Sequence, residues 1–157
     1  MQFRDFIPAK AILGDLDSLT KDAVIPEMVD ALIRNGILRP EMRAGVLGAL
    51  LEREKLGSTG IGQGVAIPHA KHPGIRKVVG LFARSREGVE YDALDGQPVH
   101  LFFMLLSNQD AASSHLECLA YISKHLRDKV FCRFLQDARD ADEIAELLRE
   151  AEEKAMT

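Results

Sequence analysis

The sequence has little cysteine. Cys118 and Cys132 are the two in 157 residues, and they form no C-x-x-C pair. Two free thiols fit a reducing cytoplasm. Long apolar runs are also missing, since no stretch approaches the ~18 residues of a membrane span. The first residues, MQFRDFIPAK, lack the apolar centre of a secretory signal. Charge of one sign is never blocked: the formal net charge is −4, with both signs interspersed. That excludes the basic face a nucleic-acid binder needs, and loose bulk attraction to phosphates or membrane surfaces. Repeats, low-complexity segments and linkers are absent too. What remains is 46% apolar and 28% charged, the balance of one ordinary folded domain spanning 1–157.

Periodicity supplies the elements. Ala11-Ile12-Leu13 reads as a short strand. Thr20 is placed to cap a helix from about Lys21 to Asn35, because Val24, Ile25, Met28, Val29, Leu32 and Ile33 recur every three or four residues. Gly36 stands where a glycine ends such a helix. Pro40 suits the first turn of a second helix, whose core face is Met42, Val46, Leu47, Leu50 and Leu51. A glycine-rich loop, Gly57 to Gly64, follows. Val65-Ala66-Ile67 then reads as a strand running into Pro68-His69. Val78 to Ala83 and Val99 to Leu106 are near-continuous apolar runs, as in strands covered on both faces. Leu94-Asp95-Gly96-Gln97-Pro98 carries turn chemistry. Ser114-His115-Leu116-Glu117 matches a capping box and predicts a helix to about Leu126. A short helix with Val130, Phe131, Phe134 and Leu135 follows, then one with Ile144, Leu147 and Leu148. The fold class is α/β, a mixed β-sheet flanked by helices in one layered domain.

Three features bear on chemistry. Gly60, Gly62 and Gly64 permit close backbone approach and positive φ. Pro68 fixes its own φ and holds Ile67 extended, so His69 sits on a stiff support. The run has no G-K-[ST] ending and does not fit G-x-G-x-x-G, and a plain tight turn explains it equally well. His115, in the first turn of its helix, can donate from a ring nitrogen to an anion at the helix N-terminus, or be a surface histidine without a role. Arg53 can grip a phosphoryl group with two hydrogen bonds, or belong with Glu52, Glu54 and Lys55 to a solvated helix face of local ion pairs. Taken together they suit phosphoryl transfer: His69 offers a neutral nitrogen nucleophile, and His115 and Arg53 supply donors to the phosphoryl oxygens.

The segment from Arg53 to His69, REKLGSTGIGQGVAIPH, closely resembles the signature of type-2 EIIA domains of the bacterial phosphotransferase system, the fructose/mannitol and nitrogen-regulatory class. The likeness runs from about Ile12 to about Leu148 and looks most like the nitrogen-regulatory branch. Nitrogen-regulatory members usually continue His-Gly-Lys, whereas here Ala70-Lys71-His72-Pro73 follows. The resemblance implies that His69 is the phosphoryl acceptor. It places a second active-site histidine at His115, in His115-Leu116-x-x-Leu119-Ala120, and the supporting arginine at Arg53. Ser58, Thr59, Gly60, Gly62, Gly64, Pro68 and Ser114 are expected to support the loop and the phosphate. It further implies a phosphohistidine intermediate, no cofactor, an HPr-type phosphocarrier as donor, and an EIIB component or regulatory proteins as recipients. No fused transport domain fits in this length, and a regulatory, cytoplasmic role is expected. An EIIA component of a fructose/mannitol-type transporter is the alternative. An apolar, exposed rim of Ile61, Val65 and Leu116 is expected around His69.

Two rival readings rest on other residues. His69 and His72, with His115 and Cys118, repeat an i, i+3 spacing that four zinc ligands could use, but a structural zinc site needs closed geometry, and no metal is expected. A pure protein-binding module is the other rival, and the trio of His69, His115 and Arg53 argues against it. His72, His100 and His125 are otherwise read as ordinary structural or surface residues. Both cysteines are read as small core residues on helical apolar faces.

Overall fold

The computed structural model describes residues 1–156, with side chains described as far as Glu153. The chain runs β1 (Ile12–Leu13), α1 (Lys21–Arg34), α2 (Arg43–Lys55), β2 (Gly60–Gly62), β3 (Val65–Ala66) and β4 (His69–Lys71). It continues through β5 (Val79–Val89), β6 (Val99–Ser107), α3 (Ala112–Leu126), α4 (Lys129–Asp137) and α5 (Ala141–Met156). The sheet order is β1-β5-β6-β3-β2, with β4 also paired to β6. β5 and β6 are antiparallel, while β1 joins β5, and β3 and β4 join β6, in parallel. The sheet is therefore mixed, as the alternation of elements implies.

β6 is the axis of the core. Leu101 through Ser107 are all buried, and consecutive side chains point to opposite faces, so both faces are covered. The predicted stripe on α1 is the buried one, with Ile33 only partly covered. Gly36 follows α1 with φ +75°, a backbone conformation that L side chains rarely adopt. Pro40 opens a 3-10 turn, Pro40–Met42, that leads into α2. On the last helices Phe131, Leu135, Ile144 and Leu148 are buried, but Val130 and Phe134 are more than half exposed.

Several expectations change. The glycine run is not an open loop: it forms β2 and turns back through Gly62, Gln63 and Gly64, all at positive φ, into antiparallel β3. His69 does not end the strand of Val65 but opens β4. Both strands lie along β6 in one continuous register, Ala66 beside Phe102 and His69 beside Leu105. Pro68 has no N–H to donate, so the strand lapses there while its carbonyl still accepts from Leu105 N at 2.9 Å. The capping box is not formed. α3 begins at Ala112 with Ala111 as its cap, which places Ser114 inside the first turn. β5 extends well past Ala83, through a register irregularity between Arg84 and Val89. In it Arg84 is fully buried and donates to the carbonyls of Gly14 (2.7 Å), Leu135 (3.1 Å), Gln136 (3.0 Å) and Ala138 (2.6 Å), tying the sheet to the end of α4.

Candidate functional site

The break at Pro68 shapes the site. Ile67 N donates to Thr59 O at 3.0 Å, so the strand before the proline is stitched to the end of the α2–β2 connection. His69 then folds its ring back on that strand, with Nδ1 2.8 Å from Ile67 O. A carbonyl only accepts, so Nδ1 carries the proton and Nε2 keeps the free lone pair. His69 is partly exposed, and burial pushes its pKa below the ordinary 6.5. The Ile67 carbonyl opposes that shift, the Arg53 and Lys71 charges add to it, and the Glu54 charge opposes it. At neutral pH the ring is uncharged and Nε2 is nucleophilic.

His115 lies beside it. The two ring centroids are 5.4 Å apart and the planes inclined at 58°. His115 is not a surface residue: it is buried, and its Nδ1 shares a short hydrogen bond with Ser107 Oγ at the end of β6. Burial, then the neighbouring His69 and Lys71 charges, push its pKa down to about 4. Ser107 pairs with Lys71 across β4 and β6, so one register positions both rings. Arg53, in the last turn of α2, donates from Nη1 to Gly57 O at 2.9 Å, and its charge is near enough to act on His69. The structure thus brings His69, His115 and Arg53 into one neighbourhood.

The supporting residues divide. Ser58 Oγ accepts from Gly60 N at 3.1 Å and donates to Tyr91 O at 3.3 Å. Thr59 is buried against Glu54 and Tyr91. Gly60 is obligatory, because a Cβ there would lie 2.8 Å from Ala93 Cβ and 2.9 Å from Ala93 Cα. Gly62 and Gly64 make the hairpin turn, and Asp95 holds it through Gln63 N at 2.9 Å. Ser114 directly precedes His115 on α3, but the ring nitrogens of His69 and His115 bond Ile67 O and Ser107 Oγ and not Ser114. It lines a separate cavity with Met1, Phe6 and Cys118, and its side chain makes no hydrogen bond among the described residues. Of the expected rim, Ile61 and Leu116 are at least half exposed, but Val65 is buried against β6. Leu94, bonded through its N–H to Gly60 O at 2.9 Å, is exposed beside Ile61's strand.

Glu54 overturns the reading of its helix face. Glu52 and Lys55 do form an exposed ion pair at 2.8 Å, but the Glu54 carboxylate turns inward and is only 6% exposed. It accepts from Thr59 N (3.2 and 3.1 Å), Thr59 Oγ1 and Tyr91 OH (2.8 Å), and pairs with Lys21 Nζ at 3.4 Å. Burial, then the Glu54 charge, drive the Tyr91 phenol pKa strongly upward. Ser107, Lys21 and Tyr91 were not singled out in the sequence, and Glu54 lay in the motif without a role. His72 turns away: its ring packs against Gly45 on α2, and its Nδ1 accepts from Gly74 N. Among the described residues no three His, Cys, Asp or Glu side chains gather where they could hold a metal ion. No helix among them is long and apolar enough to cross a membrane.

Sheet and motif together narrow the chain to the phosphocarrier domains of phosphotransferase systems. More narrowly, it belongs to the family described as "Phosphoenolpyruvate-dependent sugar phosphotransferase system, EIIA 2", whose model matches residues 5–151. The chain is 38% identical over 148 residues to the nitrogen regulatory protein of Bradyrhizobium diazoefficiens, covering 94% of this chain and 95% of that one. It is 37% identical over 150 residues to the PTS system fructose-specific EIIABC component of Bacillus subtilis, covering 96% of this chain but 23% of that protein. Among solved structures, nitrogen regulatory protein IIA-Ntr from Neisseria meningitidis matches with a TM-score of 0.82 at 38% identity, over 92% of this chain and 97% of that one. The fold is shared with enzyme IIA-mannitol of Escherichia coli in its complex with phosphorylated enzyme IIB-mannitol, at a TM-score of 0.75, 23% identity, and coverage of 90% and 96%. These likenesses support a phosphocarrier of a nitrogen-type phosphotransferase system, with a sugar-specific EIIA component as the alternative.

Proposed function

We propose that His69 accepts a phosphoryl group on Nε2 from an HPr-type phosphocarrier and passes it on, as a phosphotransferase component that acts mainly in regulation. The observation that carries this is the bond from His69 Nδ1 to Ile67 O at 2.8 Å, which leaves Nε2 as the ring's only nucleophile, beside His115. In the transfer the Nε2 lone pair forms a bond to phosphorus as the donor's P–N bond breaks, and that electron pair returns to the donor's ring nitrogen. The proton stays on Nδ1, hydrogen-bonded to the Ile67 carbonyl. The protein's part is positioning and charge stabilisation. Arg53 neutralises phosphoryl oxygens. Neutral His115 donates to them from Nε2–H while Ser107 donates into its Nδ1.

Recipients are an EIIB component or regulatory target proteins, met at the apolar rim of Ile61, Leu94 and Leu116. Such brief encounters use small interfaces, near or below ~1,200 Å² in total. Phosphate on His69 adds close to two negative charges in the midst of that rim and so changes which partners bind. The likeness to the fructose-specific component favours the transport reading as the alternative. The test is incubation with a phosphorylated HPr-type donor and mapping of the acid-labile phosphate. We expect label on His69 and none on His69→Ala, and undiminished labelling of that variant overturns the assignment.

A further inference from the structure

We infer that Glu54 is a positioning residue for phosphoryl transfer, fixing the tautomer and orientation of His69 through a relay that runs Glu54, Thr59, Ile67, His69. The inference rests on His69 being the phosphoryl acceptor, and goes beyond it by naming what holds that ring ready.

Each link is a hydrogen bond. Both Glu54 carboxylate oxygens accept from Thr59 N, at 3.2 and 3.1 Å, and one also takes the Thr59 hydroxyl. Thr59 O accepts from Ile67 N at 3.0 Å. Ile67 O accepts from His69 Nδ1 at 2.8 Å. The links thus pass through two residues, Thr59 and Ile67, each held by its N–H on one side and by its C=O on the other, so that the position of one is passed to the next through the backbone. The carboxylate is the charged end of the chain and the imidazole the working end.

Glu54 is itself fixed. Tyr91 OH donates to it at 2.8 Å, and Lys21 Nζ lies 3.4 Å away and 4.6 Å above the Tyr91 ring. Its side chain is 6% exposed, so these donors replace water. Arg53, the residue before it, bonds Gly57 O. Adjacent residues of the last α2 turn therefore grip the start and the end of Gly57-Ser58-Thr59, one through a carbonyl and the other through an N–H. A solvated ion pair on the helix surface would need none of this.

Tautomer is what the relay controls. If Ile67 O shifts, the Nδ1–H of His69 loses its acceptor, and the proton redistributes to Nε2, the atom that must be bare to attack phosphorus. Glu54→Gln keeps the volume and one acceptor oxygen but removes the charge and replaces the other acceptor by an NH₂ donor facing Thr59 N–H and Lys21. Nitrogen chemical shifts of the His69 ring in unphosphorylated protein read the tautomer directly, and rapid-quench labelling from a phosphorylated HPr-type donor reads the transfer rate. We expect Glu54→Gln to lower the Nδ1–H fraction of His69 and to slow transfer about tenfold or more, the scale of a small misplacement of a reacting group. Glu52→Gln, which removes an exposed carboxylate of the same helix that pairs with Lys55, should match wild type in both. A folded Glu54→Gln protein with the wild-type His69 tautomer ratio overturns the inference. Tyr91→Phe, which removes one donor to Glu54 and leaves the charge, supplies the same comparison if Glu54→Gln does not fold: a partial tautomer shift is expected, and no shift overturns the relay. Wild-type protein phosphorylated elsewhere than His69 would instead overturn the functional reading, with the tautomer result still standing on its own.

Discussion

His115 and Arg53 differ in how the fold holds them, and this sets what their loss should do. His115 is buried, uncharged down to a pH of about 4, and anchored by Ser107. It can donate a proton toward a phosphoryl group without becoming a competing site for one, because a hydrogen bond to Ser107 engages its other nitrogen. Arg53 is partly exposed, with one guanidinium nitrogen committed to Gly57 O and, among the described residues, its remaining donors without a hydrogen-bond partner and able to meet an anion. Removing a preorganised donor to a transition state commonly costs ~10²–10³ in rate. His115→Ala and Arg53→Ala should therefore both accept phosphate on His69, slowly, in rapid-quench labelling. Wild-type rates in both would show that neither ring nor guanidinium reaches the transferring group.

The β2–β3 hairpin joins the α2 clamp to the strand that carries His69, and its tightest point is Gly60. Gly60→Ala drives a methyl into the backbone and side chain of Ala93, neither of which can swing away. Such overpacking costs about 1–3 kcal/mol. Urea unfolding should show that loss, and the transfer rate should fall with it because Thr59 is the preceding residue. This element was also the least legible in the sequence. The α1 stripe was readable because fourteen residues give several turns of period, and β6 because its apolar run is long. Length alone does not hide a strand, since the two-residue β1 and β3 show in their apolar residues, but β2 is Gly-Ile-Gly and β4 follows Pro68, chemistry that reads as loop and as strand end. The order Ser114-x-x-Glu117 matched a capping box, but the helix starts earlier, at a residue with no capping side chain. At the site, His69, His115 and Arg53 were legible because they lie in or beside recognisable spacing. Glu54 was not: among alternating charges nothing local distinguishes it, and it turns inward to meet Tyr91, thirty-seven residues away. Arg84 hides for the same reason, its carbonyl partners lying more than fifty residues on, apart from Gly14.

For the molecule as a whole, neutral histidines set an acid limit. Burial pushes His115, His69 and His125 below the ordinary 6.5. As pH falls through about 6.5 the unfolded chain takes up protons that the folded chain resists, His115 until the pH nears about 4. Stability should thus be full above about pH 6.5 and drain away toward about pH 4. The urea midpoint should be lower at about pH 5 than at about pH 7.5, and His115→Gln should flatten the difference. A midpoint that does not move over that range would mean that these rings protonate in place. The order of the sheet has a consequence of another kind. Its two outer strands, β1 and β2, are two and three residues long, and the long apolar strands lie between them. A foreign strand arriving at either margin finds almost no ladder to extend, the condition under which sheets resist templated aggregation. A carrier whose working face must stay partly apolar and open is in this way shielded from fibril growth by the shortness of its own borders.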